Sequence, residues 1–485
     1  MTSYFLVFPN QLYDVGIAQL KGYDKVYLVE EPVYFYDRRW RPVRPNKVKV
    51  AFLRAAMRQY YTKCLERGVR IKYVEYGDAA ACLASLAGKK VTIFDPTDAG
   101  LMEKLGLEGI VADVLESPNF LLPAGDLKTI RVSRHGAFYE AMKGRLDILR
   151  GINSQDKENR LPPPAEAPSG EEDRLEETYT SGEVLEDAVE YVRKIAADHC
   201  GDDSTAGAAL ALYPTTAESA RRAFEKFLQR RFRKFGPYED AIMEEAPFMY
   251  HSVISSALNA GLLDPRAVVE RILAVGAELS VPINSVEGLI RQIIGWREYM
   301  RYLYVTRRDE MMAANIYGSK RRFTAASEVA WREGSTGLRP LDMEIQKAVY
   351  YGYSHHIVRL MVFLSFFIMC ELDPSEIYKW FMEVVAIDAY DWVMVGNIWA
   401  MGYYYNGAMT RPYLSSSAYL KRMSNYSGDG EWDTIWDALF YRFIAKKGAA
   451  TAAYKRNLAG IGARQLDEYK RVADKFISGT FTGGV

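Results

Sequence analysis

The chain reads as two folds in series: an N-terminal α/β domain built on a doubly wound parallel sheet, then an all-α domain that makes up the C-terminal half. Three observations predict this. Up to about residue 115, short β-rich runs alternate with amphipathic stretches. From Leu161 to about Tyr213 the composition turns to Pro, Glu, Asp, Gly and Ser. Beyond Tyr213 the apolar residues recur with the helical period and keep it.

YFLVF at 4–8, KVYLVE at 25–30, RIKYVEY at 70–76 and VTIFD at 91–95 read as strands buried on both faces. Helical patterns such as VKVAFLRAAMRQYYTKCLERG lie between them, and strand–helix alternation at this spacing implies parallel pairing. No GxGxxG follows the first strand, so there is no dinucleotide fingerprint. The expected domains are 1–125 (α/β), 126–212 (connector and interdomain linker, with one helix over VLEDAVEYVRKIAADH) and 213–485 (helical). TTAE at 215–218 reads as a capping box opening the helix ARRAFEKFLQRRF. Arg221, Arg222, Arg230, Arg231, Arg233 and Lys234 crowd its end, either as a solvated face or as a surface that approaches a phosphate backbone. After Arg442 the tail reads as one or two amphipathic helices ending in TFTGGV.

Sixty-two basic and 62 acidic residues give zero net charge, which speaks against a protein coated with nucleic acid but not against a local patch. No apolar run is long enough to span a membrane, and MVFLSFFIMC at 361–370 reads as a buried helix. Cys64, Cys82, Cys200 and Cys370 form neither a disulfide framework nor a CxxC pair. The N-terminus lacks the charged region of a signal peptide. A cytoplasmic monomer is expected.

Aromatics, Arg and His are densest between Val281 and Met423, in VPINSVEGLIRQIIGWREYMR, WREGSTGLRPLD, GYSHHIVRLM, DAYDWVMVGNIWAM and TRPYLSSSAYLKRM. Ile290, Ile293, Ile294 and Arg297 share one helix face, while Arg291, Trp296 and Glu298 lie off it. Tyr351, Tyr353, His355 and His356 lead into Arg359. π-faces beside guanidinium and imidazole groups suit a pocket for a large planar ligand, or for bases drawn out of a stack.

In order and wording these segments resemble the prokaryotic (6-4) photolyases and related iron–sulfur bacterial cryptochromes. The resemblance implies an FAD-binding helical domain that repairs (6-4) photoproducts in UV-damaged DNA under blue light. A cryptochrome-like photoreceptor without repair is the alternative. It makes His356 the proton donor to the lesion, with His355 beside it, and imidazole suits that role. It lines the flipped lesion with Tyr413, Tyr419, Asp240, Arg411 and Trp331. It assigns the flavin to Ser255, Ser256, Asn259, Gln292, Trp296, Arg359, Asp388, Met394 and Asn397. Met394 stands where a polar residue opposite flavin N5 is expected. Electron transfer falls to Trp380, with Phe381 at a position usually Tyr and the distal Trp at Trp331 or Arg332. Trp392 and Trp399 offer a second route. An antenna chromophore, a lumazine or other, would sit near Asn10, Glu30 and Glu31, though a sheet without chromophore is an equal reading. The family's cluster cysteines fall on Pro340, Ser427, Gly430 and Thr434, so no metal and no iron–sulfur cluster is expected. Trp432, Trp436 and the Pro340 ring are expected to fill the cluster's place.

Overall fold

The computed structural model describes residues 2–132, 134–427 and 431–482. Five strands, β1 (Tyr4–Val7), β2 (Lys25–Val29), β3 (Ile71–Val74), β4 (Lys90–Phe94) and β5 (Val111–Leu115), form one sheet in the order β3-β2-β1-β4-β5. Every pairing is parallel, with Tyr4 facing Lys25 on one side and Val91 on the other. The first four strands match the expected runs. β5 is the addition: its edge position leaves Val111 and Val114 exposed, and a strand half in water with Asp113 at its centre carries little hydrophobic signal.

The helix Lys47–Glu66 packs under the sheet with Val48, Val50, Phe52, Leu53 and Met57 buried. Onto it dock Glu183–Ile195 and Asp203–Ala211. Between Leu161 and Tyr213 the chain therefore holds two α-helices, the second (DSTAGAALA) too short and too small-sided to announce itself by periodicity, and a third helix of the connector, His135–Leu146, precedes them. Asp202 caps it by accepting from the Ser204 amide.

Among the described residues after Ala217 the regular elements are helices apart from a two-stranded ribbon, Arg322–Phe323 with Phe481–Thr482. The capping box sits one residue later than TTAE suggests. Thr216 is the N-cap of Ala217–Arg230 and Ser219 its reciprocal partner, while Thr215 bonds Thr180. The basic run beyond it is neutralised internally. Arg231 is fully buried against Glu177, Arg230 pairs with Glu171, Lys234 with Glu172, and Arg233 donates to the Leu279 and Ser280 carbonyls. Among the described residues no helix is long and apolar enough to cross a membrane.

Candidate functional site

The helical domain encloses a cavity of about 230 Å³. Three helices that wall it contain a π-helical turn: Arg291–Arg297, Val358–Leu364 and Gly396–Met401. These turns place Gln292, Trp296, Arg297, Arg359 and Asn397 on the cavity wall. A π turn inserts one residue into the ladder and is tolerated mainly where it re-aims a side chain for function. The fourth wall is the loop before the short helix Ser255–Ala260, which carries positive φ at Met249 (44°) and at the β-branched Val253 (53°). Backbone strain of that kind costs on the order of 1–3 kcal/mol and persists where the surroundings impose it. The loop sets His251, Ser252 and Ser255 against the cavity.

One part of the cavity wall is a buried polar frame. Arg359 forks onto Asp388, Nη1 to Oδ1 at 2.9 Å and Nη2 to Oδ2 at 3.0 Å. Asn259 donates to the Asp388 carbonyl at 2.9 Å, and Arg297 Nε donates to Asn259 Oδ1 at 3.3 Å. Burial pulls the Arg297 guanidinium down to about 10. Its Nη2 is buried with no partner, a donor held ready for an anion. The indole of Trp296 forms a flat wall, backed by the His135 ring at 3.6 Å and 11°.

His356 and Glu239 also line the cavity. Solvent reaches His356 through the cavity mouth, but protein surrounds it at depth. Burial, then the Arg359 and Arg291 guanidiniums, hold its pKa at about 4. Glu239 accepts from Gln292 at 2.6 Å and Asn159 at 2.8 Å, yet burial lifts it to about 7. Neighbouring Asp240 is lifted to about 6, by burial first and then by Asp156. Asp156 and Arg160 link the remaining candidates. Both charges act on Asp240, Tyr413 and Tyr419, Asp156 also on His356, and Arg411 on Tyr413. Arg411 itself is exposed.

The structure thus gathers Ser255, Asn259, Gln292, Trp296, Arg359, Asp388, Trp392, Asn397 and His356 on the cavity; Asp240, Tyr413, Tyr419 and Arg411 are not on its wall and are linked to one another by charge. Other candidates lie elsewhere. Ser256 is buried and off the wall. Met394 is fully buried; Val393 and Asn397, one turn apart, take the wall instead. His355 lies behind His251, its ring stacked on that ring at 4.5 Å. Trp331 is fully buried between Phe366 and Phe367, so it neither lines a lesion pocket nor reaches the surface. Trp380 donates to the Trp331 carbonyl at 2.9 Å and, with Phe381, packs edge-on in a cluster with Phe363 and Phe367. Trp399 packs on Tyr378. Trp380, Phe381 and Trp399 are absent from the cavity wall, which leaves Trp392, under the Arg297 guanidinium at 5.3 Å, as the indole of that set that touches it.

In the sheet domain Glu30 accepts from Arg54, Tyr73, Tyr191 and the Tyr76 amide. Glu31 is tied to Lys104, and Asn10 donates to the Pro96 carbonyl at 3.0 Å. Asn10 Oδ1 and Glu31 Oε2 are buried without a partner. Among the described residues no group of three or more His, Cys, Asp or Glu could hold a metal. Pro340 is buried in the first turn of Arg339–Tyr351, Thr434 opens Trp432–Lys446, and the Ser427 carbonyl accepts from Trp432 at 3.0 Å. Gly430 lies outside the described residues. Trp436 packs on Phe366 at 4.8 Å, and Tyr426 donates to buried Glu344 at 2.7 Å.

Sequence reasoning missed His251, His135, Asp156, Arg160, Arg291 and Glu239. His251 directly precedes the serine segment, and of the five histidines two line this cavity and two more stack on residues that do, so histidine scarcity was the available signal.

A model of the family described as deoxyribodipyrimidine photo-lyase-related protein matches residues 5–206. A (6-4) photolyase of Agrobacterium fabrum is 27% identical over 491 aligned positions, covering 92% of each chain. Two uncharacterised proteins of Acanthamoeba polyphaga mimivirus match shorter stretches, at 45% identity over 86 residues and 43% over 118. In fold, the chain superposes over 99% of its length on a class III photolyase from Agrobacterium tumefaciens (TM-score 0.57, 16% identity, 98% of that chain). It superposes over 98% on a Synechocystis sp. PCC6803 cryptochrome (TM-score 0.59, 12% identity, 98% of that chain). An archaeal photolyase from Sulfolobus tokodaii, solved with two FAD molecules, aligns at TM-score 0.54 and 12% identity over 98% of this chain and all of its own. On these matches, residues 5–206 resemble the deoxyribodipyrimidine photo-lyase-related family, and the chain as a whole has the fold of photolyases and cryptochromes.

Proposed function

We propose that this protein holds FAD in the helical cavity and uses it to repair (6-4) pyrimidine photoproducts in UV-damaged DNA. The observation that carries the reading is one cavity whose wall holds both a polar frame, with an unpartnered buried guanidinium nitrogen, and His356, while the charges of Asp156 and Arg160 act on Asp240, Tyr413 and Tyr419. The donor set fits a flavin dinucleotide: Arg297 Nη2 and Ser255 for its pyrophosphate, the Trp296 face for a planar ring, and the Arg359–Asp388 fork as the rigid frame between them. Bound FAD supplies the light-driven electron. The chain's own residues do the rest. Tyr413 and Tyr419 flank the flipped lesion, Asp240 and Arg160 orient it, and His356 holds a proton at a ring nitrogen for transfer to it. No iron–sulfur cluster is assigned to the Pro340–Thr434 region, where none of the four positions is a cysteine.

Phe381 favours a second reading, a photoreceptor that does not repair, because phenylalanine beside Trp380 is a poor redox relay. The test is the absorption spectrum of the purified protein, together with blue-light repair of an oligonucleotide bearing one (6-4) lesion. Flavin absorbance with repair supports the first reading. Flavin without repair supports the second. A colourless protein that binds no added FAD overturns both.

A further inference from the structure

Glu239 lines the cavity with 7% of its surface exposed, and side chains from two other segments close on it. Gln292 Nε2, on the π turn Arg291–Arg297, donates to its Oε1 at 2.6 Å. Asn159 Nδ2, on the connector, donates to its Oε2 at 2.8 Å. Asn159 cannot turn over. Its Nδ2 also donates to the Asn284 backbone carbonyl at 3.3 Å, which accepts only from N–H, and its Oδ1 accepts from Asn284 Nδ2 at 3.1 Å. The neighbouring helix makes room for it at Gly288, where a Cβ would stand 2.8 Å from Asn159 Nδ2. Oε2 is thus held as an acceptor, with the Arg291 guanidinium 3.5 Å away. The Gln292 amide is less constrained. It too lines the cavity, and its Oε1 has no partner among the described residues and keeps accessible surface.

A carboxylate only accepts, so ionised Glu239 takes the Gln292 NH2 and leaves the amide oxygen free. A proton on Glu239 must sit on Oε1, because Oε2 is committed to Asn159 and Arg291. Oε1–H then needs an acceptor, which the Gln292 carbonyl becomes once the amide turns over. We propose that Glu239 is a positioning residue that sets the direction of the Gln292 amide, so that the cavity meets a carbonyl oxygen when Glu239 is ionised and an NH2 when it is protonated. The wall then selects a hydroxyl or N–H donor on the bound molecule in the first state, and a carbonyl or ring-nitrogen acceptor in the second. Burial, which lifts Glu239 to about 7, brings both states within reach near neutral pH. The charges that face it are Arg291, which favours ionisation, and Asp240 and Asp156, which oppose it. The proposal rests on the reading of the cavity as a flavin and lesion site only for the identity of the bound molecule.

The experiment starts from ligand-free protein labelled at its glutamine side chains. The Gln292 NH2 resonance, identified by its loss in Gln292→Leu, is followed by NMR across the pH range around 7. In wild type it is expected to shift with a midpoint near 7. In Glu239→Gln it is expected to stay still, because the new amide, its oxygen held by Asn159, keeps its own NH2 toward Gln292 and mimics the protonated acid. A resonance that does not move in wild type, or that titrates equally in Glu239→Gln, overturns the proposal. Two constants are then read in the dark on either side of that midpoint: the Kd for FAD added to flavin-stripped protein, and the Kd of the flavin-loaded protein for a (6-4) oligonucleotide. At least one is expected to change by about 10-fold in wild type and to keep its low-pH value in Glu239→Gln. The constant that changes identifies the molecule that meets Gln292. Constants that ignore pH beside a titrating amide overturn the recognition role. A titrating amide in a protein that takes up neither ligand sinks the flavin reading and leaves the amide switch standing.

Discussion

An imidazole that titrates near 4 is neutral at pH 7, so His356 can donate a proton only after its surroundings change. Two arginines depress it and Asp156 alone opposes them, so phosphates arriving with DNA would raise it. The expected result is a His356 ring titrating near 4 in ligand-free protein by NMR and at least two pKa units higher with a lesion oligonucleotide bound. A value that stays near 4 removes His356 as the acid. His356→Ala should lower repair by about 10²–10⁴-fold with flavin content unchanged; repair at the wild-type rate would contradict the assignment. Glu239 makes a second test at this scale. Its folded pKa, about 7, exceeds the ordinary 4.5, so its contribution is fully present below 4.5 and lost as pH rises through 7. Glu239→Gln removes that loss. Its melting midpoint relative to wild type should climb between pH 4.5 and 7 and then level, by at most about 3 kcal/mol. A pH-independent difference would show that Glu239 does not titrate there. Neither shift was legible in the sequence, since burial is the largest cause of both. The pair His355–His356 was legible, but which ring faces the cavity was not, because the answer depends on His251 lying between His355 and the cavity.

Four of the five sheet strands and several helices followed from periodicity, but their ends did not: VLEDAVEYVRKIAADH, 184–199, is helical over Glu183–Ile195. Thr216 shows the margin: two threonines in a row each offer a hydroxyl, and the one whose φ and ψ are extended (−127°, 159°) takes the cap. Thr216→Ala should cost about 1 kcal/mol of stability, read as a denaturation midpoint, whereas Thr215→Ala leaves the cap in place. Equal cost at both positions would refute the placement. The three π turns were not legible, because an inserted residue changes the register without changing which residue types favour a helix. Deleting Ile294 should let Arg291–Arg297 relax to an α ladder and turn Trp296 and Arg297 by about 100° relative to the preceding turn. Helical circular dichroism should survive while FAD binding is lost. A deletion variant that keeps its flavin would show that the turn does not aim the site.

The sheet and the helical body are joined by bonds that no linker composition foretells. The Leu12 amide donates to the Ala260 carbonyl at 3.0 Å, Asn46 Nδ2 to Val349 at 2.8 Å and Lys49 Nζ to Ile387 at 3.1 Å. Arg41 and Arg44 reach Asp391 and Glu383. The sequence marked a boundary where polar residues crowd, yet the helices just after that crowd lie on Lys47–Glu66 and help hold the two halves together. Calorimetry should therefore give one transition whose van't Hoff and calorimetric enthalpies agree; two separated transitions would mean the halves unfold independently. Lys49 carries a further consequence. Its acceptor Ile387 adjoins Asp388, whose carboxylate grips Arg359 and whose carbonyl takes Asn259. A molecule that settles on Arg359 and Asn259 thus tightens the same peptide that anchors the sheet's largest helix. Occupancy and sheet stability become linked quantities: at 100 Kd of ligand the whole chain gains about 2.7 kcal/mol, and amide exchange should slow in Lys47–Glu66, far from any atom the ligand touches.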